Sequence, residues 1–176
     1  SPAPVLSLLS ACARLGGGDV ALCVREHHLP GICLALRGGG RDAAQAASFL
    51  RGLLHHLPPA GAAELFRGPG GAPTQLYGAL AACLQGSLAG VPPADVPRLL
   101  VGPAPDLSEA RAAALPVLAI LAAIPAALPD LAHNGLHKAQ TDRLVNCVEL
   151  MLAASCDEED AEVWECLVNI VDALRD

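Results

Sequence analysis

The chain has 176 residues, enough for one domain with a substantial core, and 53% of them are hydrophobic. Its formal charge of −7 argues against binding to nucleic acid or to anionic membrane surfaces, both of which attract basic proteins. Leu, Ala and Val dominate while aromatic residues make up only 2%, a composition that favours helices over sheets.

Glycine and proline residues are grouped between the apolar runs, for example at 16–18, 38–40 and 92–93. Such groups are typical of the breaks between helices, so we predict an all-α protein. No apolar run reaches the ~18 residues that a membrane-spanning helix needs. The chain begins at Ser1 without a methionine and ends inside a helical pattern, so we expect a fragment of a longer protein.

The first third of the chain predicts a short, a medium and a long helix after an N-terminal apolar run. That run is VLSLLSACARL at 5–15. Next come a helix of about ten residues that Asp19 could N-cap, a turn at residues 29–31 and a second apolar stretch. The long helix is RDAAQAASFLRGLLHHLP at 41–58.

The remaining two thirds of the chain repeat this order twice. The second unit consists of AGAAELFRG, TQLYGALAACLQGS, a proline-rich insertion at 88–107 and the long stretch SEARAAALPVLAILAAIP at 108–125. Pro116 lies about eight residues into that stretch, where we expect it to kink or break the helix. The third unit consists of LPDLAHNG, DRLVNCVELMLAAS and EEDAEVWECLVNIVDALRD, which ends at 176.

The long helices share one apolar stripe. When Leu50, Val117 and Leu167 are aligned, apolar residues recur at +3, +4 and +7, which form one face of a helix. Leu8 places the N-terminal run in the same set. No single unit can bury this stripe, so we predict that neighbouring units stack and that all four of these residues are buried.

This order of elements resembles the armadillo repeat family, a neighbour of the HEAT repeats, most clearly in GGDVALCVREHHLPGICLALRGGGRDAAQAASFLRGLLHHL at 17–57. The resemblance implies a right-handed α-solenoid of about three to four repeats, in a single domain over 1–176. It also implies a non-catalytic protein-protein interaction module, a scaffold or regulatory part of a larger protein. A partner segment would then bind on the concave face formed by the long third helices.

Candidate partner-binding residues follow from the family's asparagine ladder on that face. Asn169 is its one counterpart here, and Ser10, Gly52 and Ala119 occupy the equivalent positions. Helical spacing from these positions adds neighbours on the same side of the long helices: Glu162, Glu165, Asp172, Gln45, Ser48 and His55. The acids predict a partner with an apolar helix or strand and a basic end. The alternative is that they form an ordinary solvated helix face.

A metal site is the alternative from another functional class. His133 and His137 have the i, i+4 spacing of a helical zinc pair, and Cys147 could be a third ligand in a helical enzyme or metal-binding domain. Gly135 and the lack of an acidic residue between the histidines favour turn or cap roles instead. We found no catalytic or phosphate-binding motif and expect no cofactor.

The seven cysteines lack CxxC spacing and lie among apolar residues, which favours free thiols in the cytoplasm or the nucleus. The pairs at 27–28 and 55–56 place histidines at predicted helix C-termini, where they interact favourably with the helix dipole. A mean hydropathy of +0.44 is high. It predicts some uncovered apolar surface, which a second copy or another part of the same polypeptide could bury.

Overall fold

The computed structural model describes residues 8, 17–72, 74–89, 91, 108–127 and 168. Within these ranges the chain is mostly helical and has no β-strand, which confirms the all-α prediction. No helix in the described ranges combines the length and the hydropathy that a membrane crossing requires.

The first three helices follow one another almost without loops. Helix α1 (Gly17–Cys23) continues into a π-helical turn (Val24–His28), and α2 (Leu29–Gly38) and α3 (Gly40–His56) follow. The predicted turn at residues 29–31 is therefore wrong, because these residues form the start of α2. Pro30 fits there because the N–H groups of a first helical turn have no partner within the helix. The N-cap expected of Asp19 is also wrong, since α1 begins two residues earlier.

The next three helices repeat the order of short, medium and long. They are α4 (Pro59–Phe66), α5 (Leu76–Ala89) and α6 (Ser108–Ala127). Thr74 holds the connection between α4 and α5, because its hydroxyl donates to the Leu65 carbonyl at 2.8 Å and its N–H donates to the Phe66 carbonyl at 2.8 Å. The predicted insertion at 88–107 starts two residues too early, and residues 92–107 lie outside the described ranges.

Helix α6 runs through Pro116 without interruption, so the predicted break is wrong. Proline in a helix interior leaves the carbonyl four residues earlier without its usual donor. That carbonyl belongs to Ala112, which is exposed, so water can hydrate it. Pro116 itself is buried, and the packing of α6 against α3 and α5 keeps the helix in one piece.

The two sets of three helices pack counterpart against counterpart. Helix α1 contacts α4, α2 contacts α5, and α3 contacts α6 in the most extensive of these interfaces. Leu50 of α3 and Val117 of α6, the two residues aligned in the sequence, are both fully buried. The rest of the predicted stripe on these helices is buried as well, apart from half-buried Leu54: Leu53, Leu57, Ile120, Leu121 and Ile124.

The prediction for Leu8 is wrong, because 65% of its side chain is exposed. A periodic stripe shows that a helix has an apolar face but does not show that a neighbour covers it. The N-terminal run is therefore not supported as a fourth member of the shared core. Leu167 lies outside the described residues, and the extent of the domain stays a prediction.

A single residue, Gly39, connects α2 to α3. Gly39 and Gly40 have φ values of 75° and 64°, a region that side-chain-bearing residues rarely adopt. A Cβ atom on Gly40 would lie 3.4 Å from Oε1 of Glu109. The first turns of α3 and α6 are therefore adjacent.

Candidate partner-binding groove

A groove of about 550 Å³ lies between α3 and α6. Helix α3 contributes five of its residues and α6 contributes three: Ser48, Arg51, Gly52, Leu54, His55, Ala119, Ile120 and Ala123. The groove lies along the second halves of two helices whose first turns are adjacent. The two long helices therefore run parallel on either side of it.

Small residues keep the groove open. Gly52 and Ala119 occupy equivalent positions of the predicted repeat, and both line it. Glycine in a helix interior costs about 1 kcal/mol relative to alanine. A Cβ atom on Gly52 would meet nothing within 4 Å, so core packing does not demand a glycine there. The side chain missing at this position leaves space in the groove.

The α3 side of the groove is polar at its rim. Ser48, Arg51 and His55 are all exposed, and their spacing of three and four residues puts them on one face of the helix. His55 lies in the last turn of α3 and makes an edge-on contact with His56, with 5.3 Å between ring centroids. This confirms the helix-terminal position predicted for that histidine pair.

The floor of the groove is apolar. Ile120 is buried, Leu54 is half-buried, and Ala123 is exposed at the edge. A partner side chain placed between these residues would remove apolar surface from water on both molecules. Such burial contributes about 25 cal/mol per Å².

The charge lining the groove is positive. Arg51 makes no ion pair with a described carboxylate. The described carboxylates of α3 and α6 are Asp42 and Glu109, each in the first turn of its helix. Asp42 is nine residues from Arg51, which corresponds to about 13 Å along a helix. Among the described residues that line the groove, the full charge is therefore positive, whereas the net charge of the whole chain is −7.

Some of the predicted site residues meet in this groove. Ser48 and His55 line it, whereas Gln45 is half-buried one turn earlier and does not. Arg51 and Leu54 were missed, although Arg51 lies three residues from Ser48 and four from His55 and shares their helix face. The remaining candidates lie outside the described residues: Ser10, Glu162, Glu165, Asn169 and Asp172.

The residues of the alternative metal site, His133, His137 and Cys147, also lie outside the described ranges. Within those ranges, no group of three His, Cys, Asp or Glu side chains is placed to hold a metal ion.

Two of the described cysteines, Cys33 of α2 and Cys83 of α5, are buried free thiols, as the sequence predicted. Burial raises the pKa of Cys33, and the charge of Arg37 partly opposes that rise. Burial likewise raises the pKa of Cys83, and a hydrogen bond with the Ser87 side chain partly opposes it. Both thiols behave as small core hydrophobes.

The chain was compared with protein-family models, with curated proteins and with solved structures. None of them matches it. The armadillo-like interpretation of the sequence therefore stays a prediction, and the function is inferred from the helix packing and the groove.

Proposed function

We propose that this chain is a non-catalytic protein-interaction module that binds a segment of a partner protein in the groove between α3 and α6. It acts as a scaffold or regulatory part of a larger protein. One observation carries the proposal. The groove lies between the two long helices at positions 52 and 119, which the resemblance to the armadillo family would place on the concave face.

The packing of the helices supports an armadillo-like solenoid. Each of the first three helices contacts its counterpart in the next three, which is how stacked repeats bury a stripe that no single repeat can cover. Stacking places successive third helices side by side. The surface between them is then a continuous channel suited to an extended or helical segment.

The chemistry of the groove supports protein binding. An apolar floor at Leu54 and Ile120, with a polar rim at Ser48, Arg51 and His55, is the arrangement found in protein interfaces. A cytoplasmic or nuclear location, proposed together with this function, is supported by seven cysteines without CxxC spacing.

A matched pair of glycine variants tests the proposal. Gly52→Tyr places a large side chain in the groove, where a Cβ atom has nothing within 4 Å. Gly86→Tyr makes the same change at an exposed glycine of α5, which is equally unobstructed and does not line the groove. Tyrosine favours helices slightly more than glycine does, so both variants should fold. Circular dichroism would verify this.

The partner is found by placing a photocrosslinking amino acid at Ser48 in cells, and its binding is then measured with purified proteins by calorimetry. We expect the wild type and Gly86→Tyr to bind equally and Gly52→Tyr to bind at least about tenfold more weakly, a loss of about 1.4 kcal/mol. Equal binding by all three proteins would show that the groove is not the site.

A further inference from the structure

Besides its apolar floor, the groove has a positively charged side chain, which favours an acidic ligand. Of its eight lining residues, Arg51 carries a permanent positive charge and none is acidic. The side chain of Arg51 is exposed and makes no ion pair with a described carboxylate. Arg25 differs, because its guanidinium pairs with Glu26 at 3.6 Å and with Glu64 of α4.

The position of Arg51 suits it to bind a ligand carboxylate. It lies directly before Gly52 and one helical turn before His55, on the exposed rim of the groove. A guanidinium can donate two parallel hydrogen bonds to one carboxylate. The nearby floor, formed by half-buried Leu54 and buried Ile120, offers an apolar contact beside this charge.

The small residues that line the groove determine which shapes of ligand fit beside Arg51. Gly52 and Ala119 leave room for a main chain to approach α3 and α6 closely, while the floor offers only short apolar contacts. These features fit a peptide segment with an aliphatic side chain next to an acidic one. They do not fit a second basic surface.

We propose that the groove binds a peptide segment of another protein that carries an aspartate or glutamate for Arg51 and an adjacent aliphatic side chain for the floor at Leu54 and Ile120. This inference rests on the proposed function, since it specifies the partner of the same groove. It differs from the basic-ended partner that the sequence predicts for residues 162–172.

A displayed library of random twelve-residue peptides, selected on the purified full chain, tests this specificity directly and does not require the natural partner. Peptides retained by the wild type but not by Gly52→Tyr are the groove-dependent set. We expect this set to be enriched in Asp or Glu next to Val, Ile or Leu. Affinities of the selected synthetic peptides would then be measured for the wild type, for Arg51→Gln and for a control variant, Arg41→Gln.

Arg41 is a suitable control because it is an exposed arginine of the same helix that does not line the groove. Arg51→Gln should weaken binding about tenfold or more, as expected for a lost charge-assisted hydrogen bond, and Arg41→Gln should leave it unchanged. Changing the acidic residue of the peptide to its amide should weaken binding to the wild type equally. The same change should have little further effect on Arg51→Gln.

Other outcomes separate the two proposals. Groove-dependent peptides that lack an acidic residue and bind Arg51→Gln normally would overturn the acidic-partner inference while leaving the interaction function in place. A selection without groove-dependent peptides would count against both. If sedimentation shows that the wild type dimerises and Gly52→Tyr does not, the occupant is a second copy of the chain and the inference is wrong.

Discussion

Replacing Leu50 with alanine tests whether the contact between counterpart helices holds the fold together. Leu50 is fully buried in α3, the helix with the most extensive contact to the second set of three. The substitution removes three buried carbons, worth about 2.4 kcal/mol in transfer free energy, and leaves a cavity that adds to the loss. We expect a total loss of about 3–5 kcal/mol, a large part of the roughly 5–15 kcal/mol by which domains are stable.

Urea denaturation followed by circular dichroism measures this loss, and a thermal scan should show a melting temperature lower by about 6–20 °C. Leu34→Ala is the matched control. It removes the same atoms from a residue of α2 that is 75% exposed, so it should change the unfolding free energy by no more than about 0.5 kcal/mol. If the two variants differ by less than about 1 kcal/mol, Leu50 does not lie in a closed core and the packing argument is wrong.

Three further predictions concern titratable and charged groups. Burial raises the pKa of Tyr77 to about 12 from its ordinary value of 10.0, so this single tyrosine should ionise later in the folded than in the denatured chain in an absorbance titration. The unfolded chain loses this proton first, so stability should fall by roughly 2–3 kcal/mol as pH rises from about 10 to about 12, and Tyr77→Phe should show a smaller fall. Glu64→Gln, which breaks the partly exposed ion pair with Arg25, should lower the free energy of unfolding by at most about 1 kcal/mol in the same denaturation assay; a much larger loss would contradict this. Buried Cys33 should react with a thiol reagent at least roughly tenfold more slowly than half-exposed Cys23. Peptide mass spectrometry would measure both rates, and equal rates would indicate that α2 opens readily.

The order of the described helices could be predicted because two signals agreed. The helical spacing of the apolar residues and the grouped glycines and prolines between them indicated the same helices. The errors at the turn of residues 29–31 and at Pro116 share one cause. Proline restricts the backbone locally, but its position in the helix and the exposure of the carbonyl it frees decide whether the helix stops. The predicted burial of Leu8 was wrong for a different reason. Burial depends on a neighbouring element that covers the residue, and the helical period does not reveal whether one is present.

The groove could be predicted only in part. Ser48, His55 and the equivalence of positions 52 and 119 followed from the repeat alignment and helical spacing. Arg51 and Leu54 were missed because the offsets of −7, −4 and +3 from position 52 select one narrow row of residues along the helix. The groove is wider than this row and includes residues on either side of it. That width depends on how far apart α3 and α6 lie, and this separation results from the packing of the whole core.

The two glycines at the junction of α2 and α3 affect the geometry of the groove, although they do not line it. A residue with a side chain at 39 or 40 would be strained by the positive φ, at a cost of roughly 1–3 kcal/mol, and at 40 its Cβ atom would also come close to Glu109. A rotation of α3 about its first turn would relieve that strain. It would also displace the residues from Ser48 to His55 relative to α6. A change at this pivot could therefore abolish partner recognition without touching any atom of the partner.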